Sequence, residues 1–386
     1  MAVLRNLILI LVLSLLGGMP AWANPLLVVD RDTLDVLYAQ EAGQPWHPAS
    51  LTKLMTAYVA FEQLANGAVT LDTPVIISRN AAKAPPSRSG LAVDSALSLK
   101  DALYVMLVKS ANDVAVAIAE TVGGSEEHFV AMMNDAARRM GLTATHYVDP
   151  NGLSDEGQVT SARDLAILAL YIEQNYPQFM PIFATRVVQL GKARLQSENE
   201  LLTHFAGTTG MKTGYICESG LNIVATVDRE GRRLMAVVLG GSSGRERNER
   251  AAGLILKALS GGLQPTGQTV LGLGNLAGAA PVNMRPNICG KNAAEYVKAQ
   301  EAAFPMGLKG EPSYLTDDVE ARSYVAVDLG RLRTGIALPR PRPAHVPLNP
   351  VPAEMAAADL DTALRPGFES GQAGVPYPRP RPAFPR

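Results

Sequence analysis

Short apolar runs near both ends of the first 260 residues alternate with polar turns in the manner of β-hairpins. Leu26–Asp30 and Val36–Gln40 are two such runs, separated by a polar turn. Residues 222–228 and 233–239 form a second pair, joined by a turn that contains Gly231. Apolar runs on either side of a short polar connection predict antiparallel strands. The pattern therefore predicts a sheet built from the two ends of this region.

Helical periodicity dominates the stretch between these hairpins. After Ser50, apolar residues recur near one helical face until Asn66-Gly67 ends the run, and this face consists of Leu51, Leu54, Met55, Tyr58 and Phe61. Further helices are predicted over residues 98–109, 113–121, 125–140, 161–174 and 245–259, with Ser98, Ser125 and Ser161 as N-caps. The sequence thus predicts an α/β (α+β) fold, in which helices flank an antiparallel sheet and the middle of the chain is all-helical.

The N-terminal residues have the features of a secretory signal. Arg5 precedes an apolar run over residues 7–16, and Ala21-Trp22-Ala23 has the small-x-small pattern of a cleavage site. The alternative is an uncleaved membrane anchor, but a run of about ten residues is shorter than the roughly 17–25 that a spanning helix needs. We expect residues 1–23 to be a signal peptide, and the mature protein to be periplasmic without a transmembrane anchor.

Composition narrows the classes of function. Hydrophobic residues make up 47% of the chain and charged residues 18%, with a formal net charge of −1. This composition supports a packed core and gives no basic surplus for binding nucleic acid. Two cysteines and five histidines without His-x-x-x-His spacing do not supply a structural zinc site, so we predict no metal and no cofactor. Export permits a disulfide between Cys217 and Cys289, but the sequence leaves the pairing open.

Ser50 and Lys53 form the first of three short motifs. One helical turn apart, their side chains project from the same helical face. A serine hydroxyl becomes a good nucleophile when a nearby base takes its proton. A lysine amine is such a base only when burial or neighbouring cations lower its pKa from about 10.4, and the apolar neighbours Leu51, Leu54 and Met55 favour that burial. The alternative is a helix cap followed by a solvated lysine.

The second motif is Ser110-Ala111-Asn112, which follows the helix predicted over residues 98–109. Ser110 could relay a proton from Lys53 to a departing amine, while Asn112 hydrogen-bonds Lys53 and the backbone of a substrate. A polar pair at a junction between two helices is also a common helix cap. The motif alone does not decide between the two interpretations.

The third motif, Lys212-Thr213-Gly214, precedes the strand-like run at residues 222–228. Gly214 would allow a ligand to approach the backbone closely. Lys212 offers a positive charge and Thr213 a hydroxyl, which together suit the terminal carboxylate of a peptide. The alternative is a glycine-rich turn with an exposed lysine.

In this order, the three motifs match those of the serine penicillin-recognising enzymes. The chain resembles the low-molecular-weight penicillin-binding proteins of the D-alanyl-D-alanine carboxypeptidase group (peptidase family S11). The matching stretches are residues 48–56, 110–113, 146–153 and 212–215, and the resemblance covers about residues 25–260. It implies a β-lactamase/transpeptidase-like fold with residues 24–261 as the catalytic domain.

The resemblance also implies a role for each motif residue. Ser50 would be the acylated nucleophile, Lys53 its general base, and Ser110 and Asn112 would serve proton transfer and substrate contact. Lys212 and Thr213 would bind substrate beside Gly214. The backbone amides of Ser50 and Tyr215 would form an oxyanion hole, and Arg247 is a candidate for holding the terminal carboxylate.

The implied reaction removes the terminal D-alanine from peptidoglycan stem peptides, and β-lactam antibiotics would acylate the same serine as covalent inhibitors. A D,D-endopeptidase acting on cross-links would use the same residues. A class A β-lactamase would need a second carboxylate base, and no Glu-x-x-x-Asn sequence occurs between Ser110 and Lys212. Outside enzymes, the alternative is a non-catalytic scaffold that binds the cell wall.

The C-terminal third departs from the family pattern. Well-known members continue with a β-rich domain and an amphipathic membrane-binding helix, whereas residues 262–338 lack clear apolar alternation and their structure is not predicted. Residues 339–386 hold 12 of the 27 prolines, with six arginines against four acidic residues. We expect this tail to be disordered or semi-rigid, either as a passive spacer or as a contact for the wall or a protein partner, and we do not expect membrane attachment through it.

Overall fold

The computed structural model describes residues 24–332. The predicted signal peptide, residues 1–23, and the predicted Pro/Arg-rich tail, residues 339–386, lie outside the described residues, as do residues 333–338. Among the helices of residues 24–332, none has the length and apolar character that crossing a bilayer requires.

Strands and helices alternate in blocks along the described chain. The strands are β1 (Leu26–Asp30), β2 (Val36–Gln40), β3 (Pro74–Ile76), β4 (Ala96–Ser98), β5 (Val187–Leu190), β6 (Ala193–Gln196), β7 (Thr208–Ile216), β8 (Gly220–Arg229), β9 (Arg232–Gly241) and β10 (Ser323–Ala326). The α-helices are α1 (Lys53–Ala65), α2 (Leu99–Lys109), α3 (Asn112–Gly123), α4 (Glu126–Arg139), α5 (Ala162–Asn175), α6 (Met180–Phe183), α7 (Leu201–His204), α8 (Gly244–Leu259), α9 (Arg285–Ile288) and α10 (Ala293–Ala303). Short 3₁₀ turns cover Ala49–Thr52, Ala81–Lys83 and Pro177–Phe179.

The main sheet has five strands in the order β2-β1-β9-β8-β7, and all of its neighbouring strands are antiparallel. Both predicted hairpins, β1–β2 and β8–β9, are confirmed. The position of the third motif needs a correction, because Lys212 lies inside β7 rather than just before a strand. Glycines and threonines in residues 208–214 hide the apolar alternation that identifies a strand. As a result, the motif lies on the edge strand of the sheet.

Both faces of the sheet are covered by helices. Along β1, Leu27 and Val29 point into a core shared with α1, α3 and α5, whereas Leu26 and Val28 point into a second core shared with α8. This is the period-two alternation of a strand, with both sets of side chains apolar because both faces are buried. The α/β (α+β) prediction with an all-helical middle is confirmed.

The predicted helix starts agree with the structure. The hydroxyl of Ser98 accepts the amide hydrogen of Asp101, and the hydroxyl of Ser161 accepts that of Asp164. Ser125 caps α4 in the same way. A cap satisfies an amide that has no partner inside the helix, and its local nature explains why the sequence alone predicted it.

Residues 262–332 pack against the preceding part of the chain. Strand β10 pairs in parallel with β5, and the Tyr324 ring stacks on Tyr104 with 3.5 Å between ring centroids. The Tyr324 hydroxyl donates to Asp101 Oδ1 at 2.6 Å. A disulfide joins Cys217, just past β7, to Cys289, just past α9. The pairing that the sequence left open is therefore present, and it brings the C-terminal segment to the end of the motif-bearing strand.

Phe129 offers a test of the helical layer. It is fully buried on α4, beside Gly123 of α3. Phe129→Ala should lower the free energy of unfolding by about 3–5 kcal/mol, because the cavity forfeits both transfer energy and contacts. Urea denaturation would measure the change. The exposed neighbour His128 provides the control, since His128→Ala should cost no more than about 0.5 kcal/mol; equal effects of the two substitutions would contradict the packing described.

Candidate active site

Ser50 lies in the 3₁₀ turn Ala49–Thr52, directly before helix α1. The preceding residue, Ala49, is fully buried with a φ of 50°. A non-glycine residue in this left-handed region costs on the order of 1–3 kcal/mol, and such strain is concentrated at functional sites. The surrounding packing thus holds Ala49, in the turn that presents Ser50, in a conformation that the local sequence does not favour by itself.

Lys53 is fully buried one helical turn after Ser50. Its Nζ lies 2.9 Å from Ser50 Oγ, 2.7 Å from Asn112 Oδ1 and 2.6 Å from the carbonyl oxygen of Asn151. Burial lowers the pKa of Lys53 to about 7, against the opposing charges of Asp149 and Asp113. In the neutral amine, two hydrogens can serve Asn112 and Asn151 while the lone pair faces the serine. This is the arrangement of a base beside its nucleophile.

Ser110 and Asn112 enter the site at the junction between α2 and α3. Ser110 is the C-cap of α2 with a φ of 62°, and Asn112 is the first residue of α3. Asn112 Nδ2 donates to the Pro85 carbonyl at 3.0 Å, which leaves its Oδ1 pointing at Lys53. The amide and hydroxyl of Ser89 both donate to Asp113, so the neighbouring carboxylate fixes the loop that faces this junction.

Lys212 and Ser110 form a second pair of an amine and a hydroxyl group. Its buried Nζ donates to Ser110 Oγ at 3.0 Å and to the Thr213 carbonyl at 2.9 Å. Burial lowers the pKa of Lys212 well below its ordinary value, and the positive charges of Lys53 and Arg247 lower it further. Like charges close together disfavour their joint protonation. The site therefore contains two amines that are poised to exchange protons with hydroxyl groups.

Gly214 brings strand β7 against the Ser50 turn. A Cβ at this position would lie 3.0 Å from the Pro48 carbonyl oxygen and from the Ser50 amide nitrogen. Any side chain would therefore push the strand away from the nucleophile. The next residue, Tyr215, is 51% exposed, so its side chain faces solvent at the end of the motif.

Arg247 is buried on α8, close enough to Lys212 for its charge to act on that amine. Its guanidinium donates to the Glu198 carbonyl at 2.8 Å and to Asn248 Oδ1 at 3.1 Å. Burial lowers the pKa of Arg247 to about 10, while the carboxylates of Glu200 and Glu198 oppose the shift. The predicted residue lies at the cationic end of the site, and part of its hydrogen-bonding capacity is used inside the protein.

The loop at residues 149–153 supplies a contact that residue types alone could not reveal. Asp149 accepts the amide hydrogens of Asn151, Gly152 and Leu153, and this turn directs the Asn151 carbonyl at Lys53. Gly152 has a φ of 86°, and a Cβ there would overlap the Ala49 carbonyl. In the sequence, residues 146–153 stand out only as a stretch that resembles the family, because a backbone carbonyl carries no signature in the sequence.

Two acidic residues near the cations were also missed. Glu198 and Glu200 follow strand β6, and both act electrostatically on Arg247. Glu200 accepts a hydrogen bond from Asn248 Nδ2 at 3.2 Å. Nothing in the spacing of residues 187–200 distinguishes these carboxylates from a solvated turn, so only the fold places them here.

The chain matches a known family over the region that contains these groups, with the exception of Arg247. The family model of D-alanyl-D-alanine carboxypeptidases, peptidase family S11, matches residues 20–243. The chain belongs to this family. Helix α8, which carries Arg247, begins just where the match ends.

Individual carboxypeptidase relatives show the same extent of similarity. D-alanyl-D-alanine carboxypeptidase DacF of Bacillus subtilis is 33% identical over 242 residues, which make up 62% of this chain and 62% of the relative. The chain thus spans less than two thirds of that relative's length. Penicillin binding protein 5 from Haemophilus influenzae matches with a TM-score of 0.59 and 30% identity, covering 63% of this chain and 72% of that chain. The cefotaxime-bound penicillin-binding protein D2 from Listeria monocytogenes matches with a TM-score of 0.54 and 27% identity, covering 62% and 98%.

The pKa of Lys53 in this carboxypeptidase-family site generates a prediction for pH dependence. Because that pKa is lowered to about 7, the amine is protonated below pH 7 and free to accept a proton above it. The rate of Ser50 acylation by a penicillin should rise to a plateau above pH 7, and the rate at pH 5 should lie about 100-fold below that plateau. Stopped-flow acylation measured from pH 5 to pH 9 would test this. Lys53→Arg should show no plateau, since arginine stays protonated; a flat profile for the wild type would contradict the assignment.

Asp149 should act as a positioning residue. Its charge raises the pKa of Lys53 and its oxygens hold the loop, and two substitutions separate these effects. Asp149→Asn keeps one acceptor but removes the charge, so the pH inflection of acylation should move below 7 with little loss at the plateau. Asp149→Ala should also lower the plateau rate about 10–100-fold, because the Asn151 carbonyl is no longer held. An unchanged inflection in both variants would argue against this role.

Proposed function

We propose that the protein is a serine-type D-alanyl-D-alanine carboxypeptidase of the periplasm, which removes the terminal D-alanine from peptidoglycan stem peptides. The observation that carries the proposal is the buried Lys53 amine, 2.9 Å from Ser50 Oγ with a pKa lowered to about 7. Membership of the family supports the same reaction. Lys53 is the base that activates Ser50.

Acylation follows from this geometry. Ser50 Oγ attacks the carbonyl carbon of the penultimate D-alanine as its proton passes to Lys53 Nζ. The backbone amides of Ser50 and Tyr215 stabilise the oxyanion. The carbon–nitrogen bond breaks, the leaving amine takes a proton from Ser110, and Lys212 at 3.0 Å from that hydroxyl restores it. Water then attacks the carbonyl carbon of the Ser50 ester and gives a proton, through Ser110, to the neutral Lys212. Lys53 returns its proton to Ser50 Oγ as the ester bond breaks, which releases the shortened peptide and restores the site.

Substrate binding uses the edge of the sheet. Within residues 24–332, β7 is an edge strand of the main sheet, and an extended peptide can add to such an edge as a further strand. Its terminal carboxylate lies at Lys212 and Thr213, with Arg247 contributing positive charge behind them. Asn112 contacts the peptide backbone. Gly214 keeps the scissile carbonyl close to Ser50.

β-Lactam antibiotics are proposed as covalent inhibitors that acylate Ser50. The Listeria monocytogenes relative described above is a cefotaxime-bound penicillin-binding protein, which supports the assignment. Slow release of the drug is expected, because Asp149, the carboxylate whose charge acts most strongly on Lys53, is occupied by three backbone amides. It is therefore poorly placed to activate a water for deacylation.

A class A β-lactamase remains the closest alternative enzyme, and a D,D-endopeptidase would differ only in the substrate that enters. Turnover of a chromogenic cephalosporin distinguishes the carboxypeptidase from a β-lactamase. The carboxypeptidase should consume about one equivalent per Ser50 and then stop, as an acyl-enzyme accumulates. Release of D-alanine from a pentapeptide, compared with cleavage of a cross-linked dimer, distinguishes it from a D,D-endopeptidase. A wall-binding scaffold would show neither reaction.

The decisive experiment follows the covalent adduct. Intact mass after incubation with a labelled penicillin should show one adduct on the wild type and none on Ser50→Ala. D-alanine release should fall by at least about a thousandfold in the same variant. Ser260→Ala, an exposed serine at the end of α8, is the matched control and should behave as the wild type. An adduct retained by Ser50→Ala would refute the proposed nucleophile.

A further inference from the structure

A segment from the C-terminal third borders one end of the candidate active site. We call Cys217, Glu218 and residues 284–289 the rim. The Cys217–Cys289 disulfide joins its two parts, the Met284 amide donates to the Glu218 carbonyl at 2.8 Å, and Arg285 Nε donates to Glu218 Oε1 at 2.9 Å. The rim is thus held by a covalent bond, a backbone hydrogen bond and an ion pair.

The rim touches both walls of the site. On one side, Ser154 Oγ donates to Glu218 Oε2 at 2.9 Å, and Ser154 directly follows the loop that points the Asn151 carbonyl at Lys53. On the other side, the Tyr215 hydroxyl lies 3.3 Å from Cys289 Sγ. The rim therefore connects the loop beside the base to the strand that carries the third motif.

The direction of a bound peptide places its N-terminal part at the rim. The carboxylate end lies at Lys212, and Gly214 adjoins Ser50, so the acyl side of the peptide runs past Tyr215 toward Cys217. The three residues from Gly214 to Cys217 span roughly 10 Å of extended chain. Residues two or three positions before the scissile carbonyl therefore reach the rim.

We propose that the rim is a subsite for the peptide stretch preceding the scissile bond, and that it makes the enzyme select long acyl chains over short ones. This inference rests on the function proposed above. Residues 284–289 lie beyond residues 20–243, the region that the family model matches, so the subsite is an addition to the shared catalytic region.

The rim is suited to bind neutral backbone groups and aliphatic parts of a peptide side chain. Arg285 is half exposed, but its charge is paired with Glu218, whose pKa is lowered by that arginine and by Ser154. The exposed ring of Tyr215 adds an apolar surface with a polar tip, which is typical of residues that bind extended chains. A substrate that ends before the rim gains none of these contacts.

The test compares two substrates on the full chain without its signal peptide: a stem pentapeptide ending in D-alanyl-D-alanine, and N-acetyl-D-alanyl-D-alanine. Arg285→Gln breaks the ion pair, and Cys217→Ser with Cys289→Ser removes the disulfide. Both variants should lower kcat/KM for the pentapeptide about tenfold, through KM at unchanged kcat, as expected for lost uniform binding. Neither should change kcat/KM for the acetylated dipeptide.

The controls separate the subsite from damage to the fold and from failure of the proposed function. Arg139→Gln removes a comparable ion pair with Glu62, far along α1 from Ser50, and should change kcat/KM for neither substrate. Arg285→Lys keeps the positive charge and should restore the KM for the pentapeptide. Titration of Ser50 with labelled penicillin gives the folded fraction of each variant. Equal losses on both substrates, or none on either, would overturn the subsite, whereas a wild type that releases no D-alanine would overturn the proposed function itself.

Discussion

The burial of one amine governs this site. Lowering the pKa of Lys53 from its ordinary value of 10.5 to about 7 corresponds to a differential cost on the order of 5 kcal/mol against the charged form. The protein offsets the desolvation with oxygen acceptors from Asn112 and Asn151, which satisfy the amine in either protonation state. The same burial that is unfavourable for folding makes the amine a base at neutral pH, so stability and reactivity are opposed at this position.

The second amine is coupled to the first. Lys212 and Lys53 repel one another's protons, and Arg247 adds a permanent charge nearby. A proton on one amine therefore favours the neutral form of the other, which is the condition for moving a single proton through the site rather than storing two. The negative charges of Glu198 and Glu200 partly offset this positive charge at Arg247 on α8. Under the proposed function, the balance of these charges, more than any one residue, would set how strongly an anionic terminus is held.

The sequence predicted what is local and missed what depends on distant contacts. Caps at Ser98, Ser125 and Ser161 were predicted because each is decided within four residues, and the hairpins because apolar alternation is strong in β1, β2, β8 and β9. Strands β5 and β6 lack that alternation, and β7 is disguised by its glycines. The candidate catalytic side chains were predicted from spacing and family motifs. The role of the Asn151 carbonyl, and the carboxylates that act on Arg247, could not be predicted, because their positions depend on how separate segments pack.

The disulfide also depends on a contact between distant segments, so the sequence left it open. Its position has a consequence for the shape of the site. Two cysteines 72 residues apart can indicate the cellular compartment of a protein, but they do not show whether the two residues lie close together. A disulfide needs their Cα atoms within about 7 Å. Here the pairing adds a segment from the C-terminal third to a site whose other parts come from near residues 50, 110, 150 and 212. A cross-link of that span mainly restricts the unfolded chain, but its location at the end of an edge strand has a second consequence. It fixes a wall where an extended peptide would otherwise meet solvent, so a stabilising bond also shapes the space into which a substrate must fit.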